Sequence, residues 1–426
     1  MRVFALTLAS FIVAACSDPG SDEDREKTLP NVSMANVSVD SSERAADAVD
    51  TTDGPNEAGL ADTVSDAMFQ DDFARAARLM QTETDEYGLF PQHYPFMGRS
   101  LADIDPASAR TPKTCADAHV ETLRDGAVEA VLEAARDHRI LIVNEDHAVP
   151  QHRAFIRRLL PGLRDTGYTH YAAETFSRLE DEKPIEHEAW QAAVTARGHL
   201  RPEDGYYTRD PVFARTVADA LSQGWVPVAY ESEAQAPEGT RSADRIALRE
   251  TEQARNLWER VLQDPTAKVL IHVGHSHARE TPDLRGNVWM AQRLNEDYGL
   301  DPFTIAQTGC ADPEDAPGWR YSVPAAQSGF DLLVHSRPET FDDGRQRWLD
   351  GDDTRRVASD SFIPQSSRDD WVVIEAAARG EPGNLVDRVL VRPNETVDLI
   401  LPHGPLYITV YGEGRTVLAE TQYPPD

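Results

Sequence analysis

Cysteine is scarce, with three residues in 426, at positions 16, 115 and 310. None falls at the short spacing of a thiolate metal motif, which excludes a zinc ribbon or knuckle. Basic residues are also in short supply. Lys and Arg number 42 against 73 Asp and Glu, for a formal net charge of -31. A chain of that sign is a poor partner for nucleic acid or for anionic lipid. No apolar run after the first 16 residues is long enough to span a bilayer. Two missing motifs narrow the chemistry further. No glycine-rich loop joins a strand to a helix, which removes the usual cradle for a nucleotide phosphate. No Gly-x-Ser-x-Gly occurs, so the nucleophile elbow of a serine hydrolase is lacking. What remains is a chain with 40% hydrophobic residues, enough for one large packed domain and a smaller one.

The N-terminus reads as an export signal. Arg2 gives a positive start, Val3 to Val13 is mostly apolar, and the segment closes on Val13-Ala14-Ala15-Cys16. Small residues before a cysteine resemble a bacterial lipoprotein signal over residues 1–16, although Val13 stands where leucine is usual. That resemblance implies acylation of Cys16 and attachment to the cell envelope through an N-terminal lipid. Ser17 in the next position implies the outer membrane, facing the periplasm. An ordinary secretory signal with an incidental cysteine stays open. Residues 17–67 are rich in Ser, Asp, Asn, Thr and Gly and lack a period, as expected of a disordered acidic tether. Outside the reducing cytosol disulfides persist, which makes Cys115 and Cys310 a candidate pair.

Residues 68–365 are expected to form an α/β domain with a mostly parallel sheet flanked by helices. A helix-like stretch, Met68 to Met80, and an aromatic stretch, Tyr87 to Met97, form an arm that packs on it. Apolar runs then alternate with helical patterns. The runs are Ile140–Val143, Tyr168–Glu174, Val226–Glu231, Lys268–Val273, Phe303–Gln307 and Asp331–Val334. Amphipathic helices are expected over Gly126–Arg136, His152–Arg164, Val212–Leu221, Ala243–Leu262 and Val288–Tyr298. Thr175 to Asp210 reads as a polar insertion. From residue 366 the pattern changes to short strands separated by turns, a small antiparallel β domain (366–426) with no catalytic candidate.

Polar groups recur where the apolar runs end. Glu145 and His147 follow the first, Glu174 ends the second, and Glu231 ends the third with Glu233 close by. His275 and His277 follow the fourth, after Gly274, and His335 follows the sixth. In a parallel sheet those ends share one edge, where open α/β folds bind ligands. One histidine at a strand end is more often a hydrogen-bonded structural residue, and one glutamate more often a cap or surface charge. The recurrence across several strands points to a site. Imidazoles with carboxylates suit general acid–base catalysis. They equally suit a divalent transition metal, with His147, Glu145 and His277 as ligands. Ser276 lacks the strand–turn–helix context of a nucleophile. Arg153 reads first as a helix-surface charge; pairing with a carboxylate or with an anionic substrate group is the alternative.

The stretch Asn144-Glu145-Asp146-His147, with Pro150-Gln151-His152-Arg153 after it, resembles the first motif of the haem-uptake lipoprotein family and of the erythromycin-esterase-like hydrolases. Both usually carry Gly-Glu-x-His, so Asn144 departs from the pattern. Gly274-His275-Ser276-His277 resembles the second motif of that superfamily, which includes metalloprotease-like members with paired Gly-x-x-His motifs. The resemblance spans about residues 120–340. It implies that His147 is a general base or metal ligand, that Glu145 and Glu174 orient it, ligate metal or position water, and that His277 is the second imidazole with His275 beside it. Two functions follow as expectations. One is a lipid-anchored envelope hydrolase of a small-molecule or peptide substrate, cleaving an ester, lactone or amide with or without a metal. The other is a haem- or iron-binding uptake lipoprotein, with Tyr206 and Tyr207 as candidate haem contacts. A degenerate member kept for protein–protein contact is the third reading.

Overall fold

The computed structural model describes residues 63–85, 90–104, 114–116, 120–180, 183–234, 236–237, 239–313, 318–325, 328–351, 353–378 and 384–424. The signal segment, Cys16 and nearly all of the expected tether lie outside the described residues.

The centre of the molecule is an eight-stranded sheet. Its strands are β1 (Arg124–Asp125), β2 (Ile140–Glu145), β3 (His170–Ala173), β4 (Val226–Ala229), β5 (Val269–Gly274), β6 (Phe303–Ala306), β7 (Arg320–Ser322) and β8 (Leu332–His335), in the order β1-β7-β8-β6-β2-β5-β3-β4. The six strands from β8 to β4 run parallel, and β7 and β1 add an antiparallel edge beyond β8. The fold class is therefore the expected one, with the short edge strands as an addition. β2 and β5 lie side by side in the middle, with Glu145 level with Gly274.

Both faces of the sheet are covered, which is why β2 reads as an unbroken apolar run. Leu141, Val143, Tyr171, Ala173, Leu270 and Ile305 point to one core. They meet helices α3 (Ala127–Asp137), α4 (Pro150–Asp165), α5 (His187–Arg197) and α6 (Pro211–Ser222) through Val131, Phe155, Leu159, Leu163, Trp190, Val194 and Phe213. The alternate residues, Ile140, Ile142, Ala172, Val228, Val269, Ile271 and Val273, point to the other face. There they meet α7 (Ser242–Leu257) and α8 (Met290–Tyr298) through Ala254, Leu257, Met290 and Leu294. Full burial of such side chains contributes roughly 1.5–3 kcal/mol each. Helix α5 lies within the stretch read as a polar insertion. Its apolar residues are few, but Trp190 and Val194 are one turn apart and both enter the core.

The C-terminal region is antiparallel. β9 (Thr354–Ala358) pairs with β12 (Asp398–Pro402), and a four-stranded sheet has the order β11-β10-β13-β14, formed by β10 (Val372–Ala378), β11 (Leu385–Val391), β13 (Leu406–Tyr411) and β14 (Val417–Tyr423). Val357, Phe362 and Ile363 pack in the same cluster as these strands. Structure of this kind thus begins before residue 366. At the other end, α1 (Val64–Phe69) and α2 (Phe73–Leu79) begin the arm. Val64 and Ala67 are buried, so the last expected tether residues are helical. The arm packs on Tyr207 of the α/β part and on Val373 and Leu390 of the β region together. Gly98 is needed there: at φ 67° it faces the Arg388 carbonyl oxygen, which an added Cβ would meet at 1.7 Å. No helix among the described residues is long and apolar enough to cross a membrane.

Candidate active site

The first motif closes on Glu145, a buried carboxylate with four donors around it. His147 Nδ1 bonds its Oε1 at 2.7 Å and His272 Nε2 bonds its Oε2 at 2.7 Å. Arg153 donates Nε to Oε2 at 2.8 Å and Nη2 to Oε1 at 2.6 Å. Arg153 also pairs with Asp210 and donates to the His147 carbonyl at 3.2 Å. His272 is held from behind by a 2.8 Å contact between its Nδ1 and the Tyr171 hydroxyl. Burial alone would raise the Glu145 pKa, but Arg153 and His272 outweigh it and hold the carboxyl well below its usual range. An ionised Glu145 fixes His147 with its Nδ1 proton toward that carboxylate and Nε2 toward Gly274. The imidazole face stacks on Tyr207, with ring centroids 4.1 Å apart and planes at 18°.

The second array is built on Glu174. Arg249 Nη2 donates to its Oε1 at 2.5 Å, and the Gly274 backbone N–H donates to its Oε2 at 2.5 Å. Arg249 also grips Glu231 with two bonds, at 3.0 and 2.5 Å, and Gln253 adds a third donor to that carboxylate at 3.0 Å. His277 lies between carboxylates: its Nδ1 is 2.9 Å from Glu250, and its Nε2 is 3.4 Å from Glu174. Burial opposes its charge, yet Glu250 and Glu174 win and hold its pKa well above that of free histidine. Glu174 is likewise kept well below the usual carboxylate range, because His277 and Arg249 outweigh its desolvation.

The two arrays meet at Gly274. A Cβ added there would lie 2.4 Å from His147 Nε2 and 3.1 Å from Glu174 Oε2. Glycine is required because an imidazole and a carboxylate close on the same backbone atom. The residue after it, His275, has φ 32°, a left-handed conformation unusual for a non-glycine residue and common at functional turns. Its ring stands edge-on to His147 at 5.4 Å. Side-chain exposure is 2% for His147, 3% for Glu145, 7% for Glu174 and 1% for His277, against 17% for His275 and 28% for Glu231. The approach from solvent is therefore on the His275 and Glu231 side.

Sequence reasoning named Glu145, His147, Glu174, Glu231, His275 and His277, and the fold brings all six together. It misplaced Arg153, which is not a surface charge: it is fully buried because it neutralises Glu145 and Asp210. His335 sits two strands away beside Cys310, and Glu233 pairs with Arg178 outside the arrays. Missed entirely were His272, Tyr171, Asp210, Arg249 and Glu250. His272 carried a signal, a lone imidazole in an apolar strand, since a buried polar group needs a partner. Arg249 and Glu250 carried none. Asn144, the departure from the family motif, is buried and bonded on both sides of its amide. It donates to the His275 carbonyl at 2.6 Å and accepts from the Gln307 N–H at 2.6 Å. Cys115 and Cys310 are joined in a disulfide.

The donors do not fit a resident metal at His147, Glu145 and His277. Both Glu145 oxygens already receive a guanidinium and an imidazole, and Arg249 Nη1 stands 3.2 Å from His277 Nε2. Among the described residues, the trio whose ligand atoms gather closely enough for an ion is Cys115, Cys310 and His335. Nor are the tyrosines poised to meet haem. Tyr206 hydroxyl is 2.9 Å from His93 Nε2, Tyr207 hydroxyl donates to Gln92 at 3.0 Å, and both rings belong to a buried aromatic cluster with Phe96.

No protein-family model matches the chain, and no curated protein matches it significantly. Several solved structures show a distant likeness. The type III effector HopBA1 aligns at 12% identity over 55% of this chain and 99% of its own, with a TM-score of 0.35. The MARTX toxin effector domain RRSP of Vibrio vulnificus aligns at 16% identity over 52% of this chain and 40% of its own, TM-score 0.33. ChaN of Campylobacter jejuni, solved with haem bound cofacially, aligns at 10% identity over 49% of this chain and 91% of its own, TM-score 0.32. These likenesses are of fold only and leave the activity to be argued from the site.

Proposed function

We propose that the chain is a hydrolase that cleaves an ester, lactone or amide by general acid–base chemistry, attached to the cell envelope through Cys16. One observation carries the reading: His147, oriented by Glu145, and Glu174 close together on Gly274, and His277 Nε2 lies 3.4 Å from the same Glu174 carboxylate. Glu145 orients His147 so that Nε2 accepts a proton from water as the water attacks the substrate carbonyl. The oxyanion then forms near His277, whose positive charge is fixed by Glu250 and Glu174 in a site closed to bulk solvent. The His147 imidazolium then gives that proton to the leaving group. Arg249 holds Glu174 and Glu231 in place, and the partly exposed His275 meets the substrate at the mouth.

The test is turnover of an ester, lactone and amide panel by the full chain. His147→Ala is expected to lower any activity by roughly 10²–10⁴-fold, with His277→Ala and Glu145→Gln close behind. Turnover that survives His147→Ala would sink the reading, as would a complete lack of turnover on a broad panel. The haem-uptake alternative has less support, since Tyr206 and Tyr207 are committed to internal contacts. A haem titration with a Soret shift would revive it.

A further inference from the structure

Two strands along the sheet edge from β2 lies a second group of reactive side chains that the hydrolase reading does not use. Cys115 precedes β1, Cys310 follows β6, and His335 ends β8. The two cysteines come together because Thr114 bridges Ala311 and the Cys115 N–H donates to the Ala311 carbonyl at 2.9 Å. His335 is buried with its Nδ1 turned to both sulfurs, 3.6 Å from Cys115 Sγ and 3.8 Å from Cys310 Sγ.

We propose that these three residues form a redox-gated metal site: with the disulfide open, the two thiolates and His335 Nδ1 hold a thiophilic divalent cation of the zinc type. The spacing supports this. Bonds of about 2.3 Å to sulfur and about 2.05 Å to nitrogen at a tetrahedral angle place N and S about 3.5 Å apart. The imidazole already stands at nearly that distance from both sulfurs, so only the sulfurs must part, to about 3.8 Å. The second shell is also in place. His335 Nε2 is 2.9 Å from the Ser322 hydroxyl, and Nδ1 is 2.9 Å from the Cys310 carbonyl. In the disulfide form Nδ1–H donates to that carbonyl and Nε2 accepts from Ser322. In the metal form the proton moves to Nε2 and Ser322 accepts it. A hydroxyl serves either tautomer because it both donates and accepts.

The chemistry balances. A small dithiol opens the bond by thiol–disulfide exchange, itself becoming a cyclic disulfide, while the cysteines gain two electrons and two protons. The divalent ion then displaces two thiol protons and forms two metal–sulfur bonds. The metal would replace the covalent link between residues 114–116 and the loop after β6. That loop also carries Gln307 and Thr308, which hold Asn144 at the end of β2.

The test uses the full chain, reduced with a trialkylphosphine, which takes oxygen from water and becomes the phosphine oxide. After anaerobic exchange the protein is titrated with Co²⁺, with circular dichroism as a check on folding. One Co²⁺ per chain is expected, with a thiolate-to-cobalt charge-transfer band and tetrahedral visible bands that Zn²⁺ abolishes. The oxidised chain is expected to show neither. His335→Ala, which folds with its disulfide before reduction, is expected to bind roughly tenfold or more weakly with altered visible bands. Cys115→Ser and Cys310→Ser are expected to lose the charge-transfer band. The proposal is overturned if the reduced chain gives no thiolate band, if His335→Ala binds with the same affinity and spectrum, or if reduction unfolds the protein.

Discussion

Replacing Gly274 with alanine tests the geometry of the site without knowledge of the substrate. Gly274 sits at φ -85° and ψ 151°, a conformation open to any L-residue, so the substitution brings no backbone strain. What it brings is a methyl group 2.4 Å from His147 Nε2 and 2.5 Å from Cε1. Comfortable packing starts near 3.5 Å, so the ring must retreat by about 1 Å. It has little room to do so, with Nδ1 held by Glu145 at 2.7 Å and its face on Tyr207 at 4.1 Å. Overpacking of this kind costs about 1–3 kcal/mol. A catalytic group displaced by about 1 Å loses on the order of 10²-fold in rate. Urea unfolding of wild type, Gly274→Ala, His147→Ala and the double variant separates this contact from everything else. Removing the ring removes the larger clash and leaves only the 3.1 Å approach to Glu174 Oε2, so Gly274→Ala should cost clearly less in the His147→Ala background than in the wild type. A Gly274→Ala chain as stable as wild type would refute the reasoning. So would an equal loss in both backgrounds, which would place the damage elsewhere than at His147.

Other outcomes follow from the same networks. Glu145→Gln leaves Arg153 buried with Asp210 as its remaining carboxylate, and should destabilise by about 3–5 kcal/mol in denaturant titrations, more than His147→Ala. Burial lowers His93 and His152 to about 4, so the unfolded chain binds more protons than the folded one between pH 6.5 and 4. Stability should therefore fall as pH is lowered through that window, by up to roughly 3 kcal/mol for each histidine. A flat urea midpoint from pH 7 to pH 4 would contradict it. Glu145 and Glu174 are depressed further, so their contribution is present above about pH 4.5 and is lost only below it; that of His277, being raised, is complete below about pH 6.5 and is lost as pH rises from there through its folded value. Opening the disulfide frees a loop with a sequence separation of 195 residues, for which loop entropy gives about 5 kcal/mol. Reduction without metal should lower the thermal midpoint clearly, and an unchanged midpoint would count against that magnitude.

The sheet was legible because its strands are buried on both faces and its helices carry one apolar stripe each. Ile140–Val143 and Phe155, Leu159 and Leu163 needed no more than periodicity to be placed. The edge strands β1 and β7 were not legible, being two and three residues long with polar side chains. Helix α5 hid in a polar stretch because two residues, Trp190 and Val194, suffice to dock it. At the site, strand ends pointed to the six groups that gather there, since a parallel sheet delivers all its C-terminal ends to one edge. The supporting ions were beyond such reasoning. Arg249 and Glu250 are adjacent on a helix whose exposed residues are just as charged, and only the tertiary fold decides which charges turn inward. Arg153 was read as a surface charge for the same reason.

That difference bears on whether the site is active or a relic. Asn144 in place of glycine looks like decay when the motif is read alone. In the fold its amide satisfies the His275 carbonyl and the Gln307 N–H, and a glycine there would leave both without that partner. The substitution therefore ties the two motif turns together. The buried charges point the same way. Glu145, Arg153, Glu174, Arg249 and His277 are ionised groups removed from water, and well-packed apolar residues in their place are often neutral or stabilising by about 1–4 kcal/mol. A scaffold kept only for contact with a partner gains nothing by retaining a strained His275, a glycine wedged between imidazole and carboxylate, and five buried charges. On the proposed acid–base reading the same features have a use: they hold His147 as the base and keep His277 charged beside it.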